Sequence, residues 1–136
     1  AKSLLEKKYS VEVCEEIVDL IKERLNTVFD VEKEVYVFVG QPKNYDADAI
    51  EKITRNTIYD ILNFCKLNEE LISEPFSLKE SLMSFGSENE ISFGNIMKTL
   101  RLCMVGSLSG PDLFKIIEVI GHDETLHRIE CLINKI

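Results

Sequence analysis

Apolar residues recur at helical spacing in one stretch of this chain after another. The first stretch holds Cys14, Ile17, Val18, Ile21 and Leu25. Residues three or four positions apart lie on one face of an α-helix, so each such stretch predicts a helix with a buried side. Almost no segment shows the alternation typical of a half-buried strand. The sequence therefore predicts an all-α fold, a compact bundle or cage of about six or seven helices in two small subdomains.

Capping and turn residues divide the first part of the chain. Asp46 or Asp48 can cap a long helix that runs to about Leu67, and Ser77 can cap another that runs to about Phe85. For residues 27–39, periodicity does not decide between a helix and an extended strand, and a helix is favoured.

A polar tract at residues 86–90 is expected to be exposed and is the best internal boundary that the sequence offers. It separates a predicted first subdomain, residues 1–90, from a second, residues 91–136. In the second, Gly106 is predicted to end one helix and Gly121 the next. Pro111 is predicted to stand in a first helical turn, where the missing N–H of proline does no harm.

The distribution of charge bears on the class of partner. The chain of 136 residues has 16 basic and 24 acidic side chains and a net charge of −8, which by itself argues against binding to nucleic acid. Residues 91–136, however, hold 5 of each, so the whole acidic excess lies in residues 1–90. The segment around Lys98, Arg101 and Lys115 is locally basic.

Several classes of protein are not favoured. No apolar run approaches the roughly 18 to 20 residues that a transmembrane helix needs, and no signal peptide is recognisable. A cytoplasmic location is predicted, with an organelle as the open alternative. The chain begins with Ala1, and its first residues suggest a segment of a longer polypeptide.

Cysteine and histidine residues do not predict a disulfide or a metal site. Cys14, Cys65, Cys103 and Cys131 lie far apart on or beside apolar helical positions, so they are expected to be reduced core residues. His122 and His127 are five residues apart, which places them about 140° apart around a helix. They therefore do not share a face of the helix, which disfavours a common metal ion.

Arg101 and the loop that follows it are the strongest candidate for a binding site. On a helix, Arg101 lies about 80° from Phe93, at the edge of the apolar stripe, where its stem can pack while its guanidinium projects. The loop and the predicted helix start at Pro111 would add free backbone N–H groups and a positive dipole end. An ordinary helix hairpin is the alternative interpretation.

These motifs resemble the C-terminal anticodon-binding domain of bacterial and organellar-type glutamyl-tRNA synthetases. The specific part of the match comprises Gly94, Lys98, Leu100, Arg101, Gly106, Gly110, Pro111, Leu113, Phe114, Gly121 and Arg128. The weaker part comprises Lys22, Glu23, Arg24, Tyr36, Phe38, Pro42, Tyr45 and Asp46. This sequence departs from the family's usual pattern at Gly110, where threonine is frequent, and at His122.

The resemblance implies which residues touch RNA. Arg101 would be the main side chain that contacts anticodon bases. The residues implied around it, as contacts or as parts of the surface, are Lys98, Ser109, Gly110, Pro111 and Leu113. Ser107 or Ser109 could supply the hydroxyl that Gly110 lacks. A second family arginine, which reads the last anticodon base, has no certain counterpart; Arg24 and Arg55 are candidates on charge alone.

The resemblance also implies a division of labour. The family's catalytic motifs, a His-Ile-Gly-His-like element and a Lys-Met-Ser-Lys-like loop, do not occur in this sequence. The chain is therefore expected to have no catalytic residue and no cofactor of its own, whereas the parent enzyme would use ATP and Mg²⁺. Expected partners are the anticodon stem-loop of glutamate tRNA and the catalytic domain of the same polypeptide. The protein is expected to be a monomer and not to bind a membrane. The alternative is an acidic helical protein-interaction domain without an RNA site.

Overall fold

The computed structural model describes residues 9–22, 36–108 and 111–136. Within these ranges the regular structure is helical, with no strand, and residues 36–39 also have helical backbone. The elements are α1 (Val11–Lys22), α2 (Ala47–Ile53), α3 (Arg55–Leu67), a 3₁₀ helix (Glu69–Ser73), α4 (Pro75–Glu88), α5 (Phe93–Val105) and α6 (Leu113–Lys135). The predicted all-α fold is confirmed; the division into two subdomains stays a prediction.

The helix expected from Asp46 to Leu67 is in fact two helices, so that prediction was wrong. Asp46 caps α2 by accepting a hydrogen bond from the Ala49 N–H at 3.2 Å. At Thr54 the backbone turns to φ 80° and ψ 145°, and its hydroxyl caps α3 by accepting from the Thr57 N–H at 3.3 Å. A positive φ is rare for a β-branched residue, so the sequence carries no turn signal at this position.

Helix α4 starts earlier and ends later than predicted. Pro75 is its first residue, and Glu74 precedes it without a side-chain cap, so Ser77 lies inside the first turn and is not the cap. Proline needs no hydrogen-bond acceptor at that position. The helix continues to Glu88, and Gly86 is buried, although its tract was expected to be exposed. A Cβ atom on Gly86 would lie 2.7 Å from the Ile91 carbonyl oxygen.

The core forms where α6 packs across α3, α4, α5 and the 3₁₀ helix. Helix α6 bends at Gly121, whose φ of 86° interrupts the helical backbone where the sequence predicted a stop. Burial of apolar surface is the main stabilising contribution in such a bundle. Residues that are fully covered include Ile58, Ile61, Leu62, Ile96, Leu102, Met104, Ile116 and Leu132.

The four cysteines are free thiols, and three of them lie in the core. Burial raises the pKa of the Cys65 thiol to about 12 and that of Cys103 well above its ordinary value. Cys131 is the exception to the predicted core position, because it is only partly covered. Among the described helices, none has both the length and the apolar character needed to cross a membrane.

Candidate nucleic-acid interface

The end of α5 is defined by Gly106, as predicted. This residue has φ 87°, and its N–H donates to the carbonyl oxygens of Arg101 at 3.2 Å and Leu102 at 2.9 Å. A left-handed glycine at this position satisfies helical carbonyl groups that would otherwise lack a donor.

The segment that precedes α2 packs directly on this helix end. The Asp46 N–H donates to the Gly106 carbonyl oxygen at 2.8 Å. A Cβ atom on Gly106 would collide with the Asn44 carbonyl oxygen, so only glycine fits between the two segments. Two sequence motifs far apart in the chain, one around Pro42 and Tyr45 and one ending at Gly106, are therefore neighbours in space.

Arg101 connects the two ends of the loop between α5 and α6. It lies in the penultimate turn of α5 and is partly buried, as its place beside the apolar stripe predicted. Its Nη1 atom donates a hydrogen bond to the Pro111 carbonyl oxygen at 2.9 Å. The guanidinium thus lies against Pro111, two residues before α6 begins, and is held at the end of the connection between α5 and α6.

The start of α6 differs from the prediction. The helix begins at Leu113, so Pro111 lies before it and not in its first turn. Asp112 is the N-cap, and its carboxylate accepts hydrogen bonds from the Phe114 N–H at 3.0 Å and the Lys115 N–H at 3.3 Å. The expected free N–H groups and positive helix end are therefore already occupied by an acidic side chain, because a carboxylate is the preferred neighbour of a helix N-terminus.

The other predicted contact residues fall into three groups. Pro111 and Leu113 are buried, whereas Lys98 is exposed on α5, one turn before Arg101. Arg55 is exposed at the start of α3. Its Nη1 atom donates a hydrogen bond to the Ile136 carbonyl oxygen at 3.3 Å, which places Arg55 beside the C-terminal end of α6 and not beside Arg101. Three further residues that were predicted to contact RNA lie outside the described part of the chain: Arg24, Ser109 and Gly110.

Arg128 is a functional candidate whose burial the sequence does not reveal. Its side chain is 0% exposed, with Nε 3.1 Å from a Glu124 carboxylate oxygen and Nη1 3.0 Å from the Met104 carbonyl oxygen. A Glu and an Arg four residues apart are the usual pattern of an exposed helical ion pair. The sequence thus predicts the ion pair between Glu124 and Arg128, but it does not predict the contact of Arg128 with α5 that buries the side chain.

A groove of about 610 Å³ separates residues 36–45 from the second half of α6. Two cations, Lys43 and Lys135, and two aromatic rings, Tyr36 and Tyr45, line it together with His127. The Lys43 Nζ atom lies 5.6 Å from the centre of the Tyr36 ring. Burial raises the pKa of Tyr45 from 10.0 to about 12. Unpaired bases stack on aromatic rings, and the phosphate groups between them bind cationic side chains. The groove therefore contains both kinds of side chain that bind single-stranded RNA.

Comparison with known proteins places this geometry in a family. The sequence model described as "Anticodon binding domain" matches residues 2–133. Glutamate–tRNA ligase of Christiangramia forsetii is 38% identical over 119 residues, which are 85% of this chain and 23% of that protein. The ligase of Amoebophilus asiaticus is 35% identical over 125 residues, 89% of this chain and 24% of that protein.

A solved structure supports the same placement. The crystal structure of a glutamate tRNA ligase from Elizabethkingia meningosepticum, in complex with its amino acid, has a TM-score of 0.80 and 29% identity. The match covers 98% of the present chain and 27% of the chain of the solved ligase. The present chain thus spans about a quarter of the length of these relatives. By a match that extends over nearly its whole length, the chain belongs to the anticodon binding domain family.

Proposed function

We propose that this chain reads the anticodon loop of glutamate tRNA as part of a glutamate–tRNA ligase. The observation that carries the proposal is the Arg101 guanidinium held at the loop by the Pro111 carbonyl oxygen. A planar guanidinium can donate to base edges and lie flat on an unstacked base, which suits it to single-stranded RNA loops. The relatives in which the same domain occurs are glutamate–tRNA ligases.

Neighbouring residues have distinct parts in the proposal. Lys98, exposed one turn from Arg101, contributes positive charge for a phosphate group. Pro111 and Leu113, which are buried, shape the surface at the start of α6 in this proposal. Further proposed contacts are Ser109, Gly110, Arg24 and Arg55.

The rest of the ligase carries the chemistry in this proposal. That part would bind ATP and Mg²⁺ and attach glutamate to the tRNA in the cytoplasm, while the present chain contributes selection and positioning of the tRNA. The net charge of −8 opposes binding to a polyanion, so the chain by itself binds tRNA weakly, and its affinity falls steeply with salt.

A titration followed by backbone amide chemical shifts tests the proposal. The ¹⁵N-labelled chain is titrated with glutamate tRNA and with the same tRNA carrying a different anticodon, at low and at moderate salt. Shifts centred on residues 98–113 that weaken with the changed anticodon are expected. Binding without an anticodon preference, or none even at millimolar RNA, would contradict the proposal and favour the protein-interaction alternative.

Substitution of Arg101 tests its assigned part. Arg101→Ala is expected to cost about 1 to 3 kcal/mol of binding free energy and to reduce the anticodon preference, because a side chain that reads a base edge is lost. Lys52→Ala removes one positive charge from the exposed end of α2 and is the charge-matched control. Equal losses in the two variants would show that Arg101 acts only through its charge.

A further inference from the structure

Arg128 is the one charged side chain that is fully buried in the described part of the chain. Its Nε and Nη1 atoms have acceptors, in Glu124 and in the Met104 carbonyl oxygen. Its Nη2 atom is buried and has no acceptor among the described residues. Burial of an arginine with an unsatisfied donor lowers stability, so a fold selected for stability alone would favour an apolar side chain here.

A second polar group on the same helix as Arg128 is also buried with no hydrogen-bond partner within the described ranges. The Thr125 hydroxyl is buried and likewise finds no partner in the described residues. A helical threonine usually donates to the carbonyl four residues earlier, which here belongs to Gly121. The φ of 86° and ψ of 175° at Gly121 break the helical path, and Thr125 loses that acceptor. This face of α6 therefore holds two polar groups whose burial reduces stability.

The contact that Arg128 makes on α5 is well placed to affect Arg101. Met104 lies in the last turn of α5, where carbonyl groups have no helical N–H donor, and Arg128 supplies one. Arg101 lies three residues earlier, one turn up the same helix. Gly106, two residues later, accepts the Asp46 N–H. Movement of the Met104 carbonyl group would therefore displace both Arg101, earlier in α5, and Asp46, which is bonded to Gly106.

We infer that Arg128 is a positioning residue for anticodon reading, which holds the last turn of α5 against α6 and so sets the direction in which Arg101 faces the loop. The inference rests on the proposed function. Arg128 itself does not touch RNA, because it is fully covered. Its influence passes through Met104 and Arg101, and Glu124 keeps its guanidinium in place through the 3.1 Å ion pair.

The first test needs no RNA. Arg128→Met removes the guanidinium while keeping a long apolar side chain, and Leu82→Ala makes a cavity beside α4 as a control that lowers stability without changing Arg128. Backbone amide shifts and hydrogen exchange are measured for both variants. Arg128→Met is expected to shift the amides of residues 101–113 and to speed exchange of the Asp46 amide, while Leu82→Ala leaves both as they are. If Arg128→Met leaves these amides unchanged, the inference is overturned, whatever the chain does with RNA.

The second test compares affinity for glutamate tRNA and for the anticodon-changed tRNA. In Arg128→Met the ratio of the two affinities is expected to fall about tenfold, because a base contact has lost its geometry. Arg128→Lys should recover part of the ratio, since an ammonium group reaches one acceptor but cannot span two as the planar fork does. Leu82→Ala should keep the full ratio even though it unfolds at a lower temperature.

The outcomes separate this inference from the proposed function. If the parent chain shows no anticodon preference, the proposed function fails, and shifted amides in Arg128→Met would still support the hold on Arg101. If the parent chain discriminates and Arg128→Met discriminates equally well, the inference fails and the proposed function stands. Equal losses in Arg128→Met and Leu82→Ala would also overturn the inference, because reduced stability would then explain both.

Discussion

Gly106 occupies the point where the end of α5 meets the segment before α2. It combines a φ of 87° with a position so close to Asn44 that a methyl group has no room. Backbone atoms form the obstacle, so a small movement of a flexible side chain cannot relieve the contact. A single residue therefore determines whether two distant segments of the sequence can meet.

Replacement of Gly106 by alanine is expected to lower the free energy of unfolding by about 2 kcal/mol or more, because positive φ and steric overlap each cost about 1 to 3 kcal/mol. Chemical denaturation measures the change. Gly94→Ala is the control, since Gly94 is exposed in α5 and its nearest neighbour to a new Cβ atom would be the Ser92 hydroxyl oxygen at 3.9 Å. It should leave stability unchanged or slightly raised. Similar losses in the two variants would refute the steric explanation.

Helix α6 shows how one side chain can change the character of a whole element. The helix was expected to present a positive end to RNA, and the Asp112 carboxylate instead accepts two of its first N–H groups. The cap stabilises the helix, and it places a negative charge next to Pro111, whose carbonyl oxygen binds Arg101. Stability and affinity for a polyanion therefore make opposite demands on Asp112.

Asp112→Asn separates those two demands. An asparagine side chain caps a helix about as well as aspartate, so thermal stability should change little. Removal of the negative charge should strengthen tRNA binding about two- to fivefold at low salt, because two like unit charges about 4 to 8 Å apart in water repel by roughly 0.5 to 1 kcal/mol. Asp123→Asn is the matched control, because Asp123 is also exposed on α6 but lies beyond the bend at Gly121. Equal gains in both variants would assign the effect to net charge alone.

The sequence predicted those element boundaries that depend on local chemistry. Gly106 and Gly121 break the helical path where expected, because glycine readily adopts positive φ. Thr54 escaped prediction because a threonine at φ 80° is held by its surroundings and not by its own preference. Pro111 and Asp112 both favour helix starts, and sequence reasoning chose the proline. Nothing local indicated that Arg101 would bind the Pro111 carbonyl oxygen.

At the scale of the whole molecule, burial keeps acidic groups neutral to a higher pH than usual, both in the core and at its partly buried edge. Burial raises the pKa of Cys65 from 9.0 to about 12 and that of Tyr45 from 10.0 to about 12. In the unfolded chain these groups lose their protons at lower pH than in the folded chain. Their contribution to stability is therefore complete below about pH 9 and is lost as the pH rises towards 12.

The unfolding temperature should accordingly decline above about pH 9. Thermal unfolding followed by circular dichroism from pH 7 to 11 measures the decline. Cys65→Val, which keeps a similar volume without a titrating group, should show a shallower decline than the parent chain, because it removes one buried group with a raised pKa. An unfolding temperature that stays constant to pH 11 would contradict this account.

The hydrogen bond from Arg101 to Pro111 has a consequence for the thermodynamics of recognition. A long arginine side chain in water samples many rotamers, and ordering it costs up to about 2 kcal/mol of conformational entropy. Here folding has already restricted the guanidinium before any ligand arrives. Encounter with RNA would then release interaction energy with little further loss of side-chain freedom, so an acidic domain can use a single arginine efficiently.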